Sequence, residues 1–355
     1  MDAHTPGKHI VLRSYLNAWL PILGTWNGRI IFIDGFAGPG EYATGEEGSP
    51  VIALKALLEH SAKAKISAEV VFVFIEGDAA RAKNLEKVLE PYAQTLPPSV
   101  TLEVTCGTCA PTLNQLLDEL EQSRSKLAPA LVMLDPFGVK DTPLTIVSRL
   151  LKQSRCELFI SFMWESMNRF KSTPEFEQHL DGLFGSPNWR EALSIGNTEV
   201  RKYFLHDLYR KQLLSAGAKY VTFFELWKEG KHVYSIFFAT QHSTGFDKMK
   251  EAIWRADRTG SYQFRGNRGE QIALALAEAD LTPFQEQLVN EFQGKGWVTV
   301  DQIIEWSKGD GTIFYSGQVK RSLRAMEAAG TIEVDTSTRK RSGTHPSGTK
   351  LRIAE

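Results

Sequence analysis

The segment IFIDGFAGPGEY, residues 31 to 42, ends an apolar run in an acid and continues into a glycine-rich turn. Glycine accepts left-handed dihedrals and leaves no side chain in the way, so such a turn lets a nucleotide-type cofactor lie against bare backbone. Ile30, Ile31, Phe32 and Ile33 are β-branched or aromatic and predict a buried parallel strand. Asp34, Gly35, Phe36, Ala37, Gly38 and Gly40 are the candidate cofactor loop. A second apolar run, Val70 to Ile75, closes in Glu76, roughly 40 residues downstream, where a doubly wound fold sets an acid against ribose hydroxyls. Asp78 lies two residues further on, and a third run, Ala130 to Leu134, leads into Asp135-Pro136-Phe137-Gly138.

These three strand ends, in this order, fit an S-adenosylmethionine loop better than a dinucleotide loop. Dinucleotide binders carry G-x-G-x-x-G with a helix opening at once on the pyrophosphate. Here the spacing is G-F-A-G-P-G, and Pro39 stops an immediate helix. A P-loop is excluded because no Lys-Ser or Lys-Thr follows the glycines at the required offset. The competing interpretation is a tight turn with no ligand.

Asp135 and Pro136 are the candidate reactive turn. An exocyclic base amine is a poor nucleophile because its lone pair is delocalised into the ring. A carboxylate and a proline carbonyl that accept its two N–H bonds draw the nitrogen toward a tetrahedral, reactive shape, which is catalysis by position and electrostatics. Phe137 is either a ring that stacks on the base or a core filler. Asp-Pro is also a common turn opener, and that competes with the catalytic assignment.

The chain has 355 residues, enough for two domains, and a net charge of −1, so a strongly basic or acidic whole-molecule surface is not expected. Its longest apolar runs are too short for a membrane span, and the N-terminal segment is amphipathic without the pattern of a signal peptide, which predicts a cytoplasmic protein. Three cysteines, Cys106, Cys109 and Cys156, do not pair evenly and predict a reducing compartment without a disulfide framework. Cys106-Gly107-Thr108-Cys109 follows a candidate third strand, Val100 to Thr105. A strand end bordering the cofactor's adenine, with Cys106 as a contact, is favoured over a redox motif. No second pair at finger spacing completes a zinc site, and His60, His179, His206 and His242 show no ligand spacing, so no metal is expected.

Alternating helices and strands from Lys8 to about Arg155 predict an α/β, Rossmann-like, doubly wound sheet. Glu157 to Met163, Tyr220 to Trp227 and Val233 to Thr240 complete it as seven strands with an antiparallel last one, the class I methyltransferase arrangement. Residues about 164–216 form a helical insertion within a first domain, 1–275. A second domain, 280–355, has helices at Thr282 to Phe292, Val300 to Ser307 and Ser316 to Ala329, then Gly330 to Val334 and a return strand from Lys350 to Ile353. This is a winged-helix pattern. Lys320, Arg321 and Arg324 lie on its third helix, and Arg339, Lys340 and Arg341 lie in the wing, Asp335 to Thr349, as candidate phosphate contacts. A protein-binding winged helix with a solvated charge run is the competing interpretation. A second stretch from Trp254 to Arg268 interleaves aromatics and arginines, which fits either base stacking or loop charges beside core aromatics. Asn168-Arg169 is a substrate contact or contains a helix-capping arginine, with Arg169 kept as a nucleic-acid candidate.

KHIVLRSYLNAWLPIL, FIDGFAGPGEY, EGSPVIAL, FIEGD, LDPFGV and FISFMWESMNRF, over roughly the first two-thirds of the chain, resemble the three-Cys-motif partner proteins, TcmP. That family is methyltransferase-like and is named for a neighbouring radical S-adenosylmethionine protein, which the resemblance implies as a partner. The glycine loop is also similar to that of ribosomal-RNA adenine methyltransferases, which have a Lys-His pair near the N-terminus, here Lys8 and His9, expected on this resemblance to contact nucleic acid. D-P-F-G occurs in tRNA guanine dimethyltransferases. The usual amino-methyltransferase motif is Asp or Asn, Pro, Pro, aromatic. Phe137 and Gly138 depart from it, so the stacking ring comes from elsewhere or the acceptor is not adenine. Taken with the reactive turn, the resemblance implies S-adenosylmethionine-dependent methylation of a base amine in nucleic acid, and the wing, a duplex-reading device, puts DNA ahead of RNA. The alternative is a non-catalytic nucleic-acid-binding adaptor for the radical enzyme.

Overall fold

The computed structural model describes residues 6–42, 45–170, 174–228, 231–265 and 279–354. Helix α1 (Pro6–Gly24) precedes strand β1 (Arg29–Asp34), and α2 (Ser49–Leu58) leads into β2 (Glu69–Glu76). The same alternation continues through α3 (Ala79–Ala93), β3 (Val100–Cys106), α4 (Cys109–Gln122), β4 (Ala130–Leu134), α5 (Leu144–Leu151) and β5 (Cys156–Phe162). Helices α6 (Trp164–Phe170), α7 (Pro174–Phe184) and α8 (Thr198–Ser215), with a 3₁₀ segment at Pro187–Ser194, fill the stretch expected to be a helical insertion. Then come β6 (Tyr220–Lys228), β7 (Lys231–Thr240), α9 (Ser243–Ala256) and β8 (Gln263–Arg265).

The eight strands form one sheet in the order β3-β2-β1-β4-β5-β7-β6-β8. The first five are mutually parallel, whereas β7 runs antiparallel to both β5 and β6. Mixed α/β architecture with a largely parallel central sheet was therefore legible in the alternation. The expected seven strands become eight because Gln263–Arg265 adds parallel to Glu225–Trp227. Side chains along each strand alternate between two cores. Ile30, Phe32, Phe72 and Phe74 pack with α1, α2, α3 and α9 on one face. Ile33, Val132, Leu134 and Ile160 pack with α4, α5, α7 and α8 on the other. Every residue of β4 and β5 is buried, so the Asp135 turn leaves directly from the sheet centre.

Beyond the sheet lie α10 (Thr282–Phe292), β9 (Val298–Thr299), α11 (Val300–Ser307), α12 (Val319–Ala328), β10 (Ile332–Val334) and β11 (Lys350–Ile353). The three strands are antiparallel in the order β10-β11-β9. Thr299 and Gln302 form a reciprocal capping box that starts α11. This unit has its own apolar core, into which Trp254 of α9 is inserted. Trp254 Nε1 donates to the Ile313 carbonyl at 2.9 Å, and Lys250 Nζ donates to the carbonyls of Ser307, Gly309 and Thr312 at 2.6, 2.9 and 3.1 Å.

The aromatics of the second basic stretch are core residues. Trp254 and Phe264 are buried, and the Phe264 ring occupies the space where Gly7 would carry a side chain. The core-aromatic interpretation of that stretch therefore replaces base stacking, while Arg268 and the side chain of Arg265 lie outside the described residues.

Candidate active site

The C-terminal ends of β1, β2 and β4 converge because these strands are sheet neighbours. Gly38 and Gly40 adopt φ of 65° and 83°, the left-handed region that the turn requires and that other residues resist. Gly35 is required for a different reason, since a Cβ there would sit 2.5 Å from the Cys109 sulfur. The turn's own amides are engaged within the protein. Gly35 N–H donates to Met133 O, Ala37 N–H to Ile75 O and Gly38 N–H to Glu76 Oε2, at 2.9, 2.9 and 2.8 Å. A row of amides free to cradle a pyrophosphate is thus missing from this part of the turn, in accord with the glycine spacing.

Glu76 is buried at the end of β2 and accepts from Gly38 N–H through one oxygen and from Asp78 N–H, at 2.9 Å, through the other. Each oxygen retains a lone pair for a ligand hydroxyl. Asp34 was expected to meet the cofactor, but it is fully buried and braces the turn instead. Its oxygens accept from Phe36 N–H at 3.0 Å and from Ser49 Oγ at 2.5 Å. Burial pushes its carboxyl up to about 6, against the opposing effect of those two hydrogen bonds, and the nearby charge of Asp135 adds to the rise. Asp78 is the N-cap of α3, accepting from Arg81 N–H at 2.8 Å, so its side chain is also committed locally.

Asp135 is held from two sides. Lys8 of α1 reaches its Oδ2 at 2.5 Å, and Ser161 of β5 donates to Oδ1. Burial alone would raise the Asp135 carboxyl, but the Lys8 charge and the two hydrogen bonds outweigh it and hold the group below its usual value. Burial likewise opposes the charge on Lys8, yet Asp135, helped by Tyr234 and Tyr42, keeps the ammonium above its ordinary range. The pair is therefore ionised across neutral pH. Lys8 is 4% exposed, which corrects its expected role as a nucleic-acid contact: an ammonium enclosed in this way grips Asp135 and has no face for a phosphate. Asp135 keeps 23% of its side chain open, enough for an incoming donor to reach a remaining lone pair.

Phe137 is 67% exposed, which excludes its role as core filler, and the Arg81 guanidinium lies 5.8 Å from the ring centre. A Cβ on Gly138 would meet no atom within 4 Å, so the turn faces open space. Cys106 is an exposed free thiol in register with Glu76, while Cys109 opens α4 and is buried. The C-x-x-C therefore runs from the expected strand end to the start of α4. His9 is half-buried next to Lys8. Arg169 falls in α6, and its side chain lies outside the described residues. Sequence inspection missed Ser161, Ser49, Tyr42 and Tyr234 as supports of the site. The available signal for Ser161 was a hydroxyl inside an otherwise apolar, fully buried strand.

In the C-terminal unit, Lys320, Arg321 and Arg324 lie on the exposed side of α12, opposite Val319, Leu323 and Met326. Lys340 and Arg341 are exposed in the β10–β11 connection. Arg339 is not available with them. Its guanidinium forms a two-pronged pair with Glu327 of α12, its side chain is 5% exposed, and His345 closes on the same carboxylate at 3.1 Å. The expected phosphate contact at Arg339 is thus corrected to an internal staple between helix and wing.

Two cavities of about 400 and 420 Å³ lie away from these strand ends, one beside the outer edge of β6 and one beneath Tyr15 and Trp19. No helix among the described residues is long and apolar enough to cross a membrane.

No family model matches the chain. No curated protein matches it either. Among solved structures, it is similar to an O-methyltransferase from Bacillus cereus in complex with SAH, at 13% identity over 64% of this chain and 80% of that one, with a TM-score of 0.36. The O-methyltransferase TomG from Streptomyces achromogenes, in complex with SAM, is 13% identical over 65% and 79% of the two chains, with a TM-score of 0.36. A Legionella pneumophila protein is 12% identical over 66% and 85%, with a TM-score of 0.39. At such distances the weight rests on strand order and on the geometry above.

Proposed function

We propose that the chain is an S-adenosylmethionine-dependent methyltransferase acting on an exocyclic base amine of nucleic acid, with DNA as the preferred polymer. The observation that carries this reading is the pairing of an ionised, partly open Asp135 with the exposed Phe137 ring in a single turn. A carboxylate that accepts an amine N–H beside a free aromatic face is suited to holding a flat base.

The cofactor fits the residues at the strand ends. The turn carries no side chain at Gly35, Gly38 and Gly40, its amides are closed to a pyrophosphate, and Glu76 presents lone pairs at the end of β2, where a ribose lies in doubly wound folds. When bound, it supplies an electrophilic sulfonium methyl. The rest belongs to the chain. Asp135 and the Pro136 carbonyl accept the amine's N–H bonds and orient its lone pair, while Lys8 and Ser161 fix the carboxylate. Phe137 stacks on the base and Asp34 keeps the turn in shape.

The helix–strand–helix–helix–strand–strand order of residues 282–353 supports a winged helix, with α12 as the groove element and the β10–β11 connection as the wing. Lys320, Arg321, Arg324, Lys340 and Arg341 are its phosphate contacts. A base in duplex must be flipped out to reach Asp135. The test is transfer of labelled methyl to duplex DNA, single-stranded DNA and total RNA, with Asp135→Ala as control. Label in one polymer that vanishes in the variant supports the proposal. Cofactor binding without label in any of the three removes it and leaves an adaptor for the radical enzyme.

A further inference from the structure

A buried polar cluster on the opposite face of the sheet from Lys8 has no part in methyl transfer. It joins His206 of α8, Glu225 of β6 and His232 of β7, whose nearest donor atoms all lie within 4.8 Å of one another. His206 and Glu225 are at most 3% exposed, and His232 is half-buried, which gives the cluster one side toward solvent.

The hydrogen bonds determine which lone pairs are available. His206 Nδ1 lies 2.7 Å from the Lys202 carbonyl, which can only accept, so that nitrogen carries the proton. His206 Nε2 is therefore the lone-pair nitrogen, and the Ser235 hydroxyl, 2.7 Å away, donates to it. Ser235 has one proton, so its contact with His232 Nε2 at 3.0 Å must be donated by the histidine. His232 Nδ1 is left as a bare lone pair, and it has no hydrogen-bond partner. Glu225 Oε2 is anchored by Trp227 Nε1 at 3.0 Å, which points Oε1 into the cluster. Glu225 and His232 thus each have one atom held by a neighbour and another turned inward, the orientation that outer hydrogen bonds impose on metal ligands, whereas the inward Nε2 lone pair of His206 is taken by the Ser235 hydroxyl, which must rotate away when a cation binds.

A cation already balances the cluster. Lys202 Nζ lies 2.9 Å from Glu225 Oε1, but it also reaches the surface carboxylate of Glu199 at 2.8 Å, so it keeps a partner if it leaves Glu225. Phe162, Trp164, Phe223 and Trp227 surround the imidazoles with rings 5.0 to 6.5 Å away, making a dry shell. We infer that His206, Glu225 and His232 form a two-histidine, one-carboxylate site for a zinc-class divalent cation, with Lys202 holding the cation position until the metal displaces it toward Glu199. Such an ion clamps α8 to the β6–β7 pair. This inference is independent of the proposed methyl transfer.

The test is titration of the full-length, chelator-dialysed protein with Zn²⁺ by calorimetry and with Co²⁺ by absorption. One equivalent should bind, and the cobalt spectrum should show nitrogen and oxygen ligation without the thiolate charge-transfer band that Cys106 would give. His232→Gln, at the half-buried ligand, should weaken binding by at least about 100-fold, since even outer-shell losses cost about 10–100-fold. Lys202→Met should tighten it by about tenfold or more, because a competing charge is removed. Absence of stoichiometric metal on the native chain, binding unchanged in His232→Gln, or binding confined to Lys202→Met would each overturn the inference and leave a structural ion pair.

Discussion

Asp34 and Asp135 stand at adjacent strand ends and are driven in opposite directions by their partners. Asp34 has only neutral donors, so burial wins and the folded carboxyl rises from 3.8 to about 6. The folded state binds this proton more tightly than the unfolded chain. Its contribution is therefore most favourable below pH 3.8 and is lost as pH rises through about 6. Asp34→Asn should remove that penalty, stabilising the protein at pH 7 by up to about 3 kcal/mol and by much less at pH 4. Denaturant melts at the two pH values check this; an equal gain at both would refute the assignment. For Asp135 the lowered carboxyl adds stability above the unfolded value, lost as pH falls through the folded one. Lys8→Met leaves a buried carboxylate without its counter-charge and should cost about 3 kcal/mol. It should also move the acid limb of the pH–rate profile upward, because burial then raises Asp135 against only the Ser161 hydrogen bond and the His9 charge. An acid limb in the native position would show that Asp135 does not set it.

At the scale of elements, α12 and the β10–β11 connection act as one unit because Arg339 and His345 close on Glu327. Basic residues adjacent in sequence consequently do different things. Lys340→Ala with Arg341→Ala should weaken nucleic-acid binding and lower the slope of log affinity against log salt by about 1 for each phosphate left without its cation, with little change in melting temperature. Arg339→Ala should mainly lower stability, by about 1–2 kcal/mol, as expected when a charged hydrogen-bonded pair is broken near the surface. Parallel salt titrations and thermal melts separate the two. An unchanged slope in the double variant would return the wing to a solvated charge run. The alternating helices and strands were legible because strands buried on both faces read as short unbroken apolar runs, Ile30 to Ile33 and Ala130 to Leu134 among them, whereas β8, three residues long, carries too little pattern to be distinguished from a loop.

Across the whole molecule, α9 links the sheet to the C-terminal unit through Trp254 and through Lys250, whose three N–H bonds cap the chain after α11. Lys250→Met strands three carbonyls and should cost about 3 kcal/mol or more. Calorimetry should show separate melting of the two units; one unchanged transition would show that Trp254, with Asp247 on Ser316 and Tyr262 on Ile313, holds the joint without Lys250. The sequence by itself determined the strand ends, the glycine turn, Glu76 and Asp135, because each is carried by a short contiguous pattern with a local physical cause. Tertiary structure decided what those residues face. Lys8 lies 127 positions from Asp135, and only the packing of α1 on the sheet turns it from a surface charge into a buried partner. The same holds for Arg339 on Glu327 and for His206, Glu225 and His232. Their roles depend on distances set by helix and strand packing, and such long-range pairings leave no periodic trace along the chain.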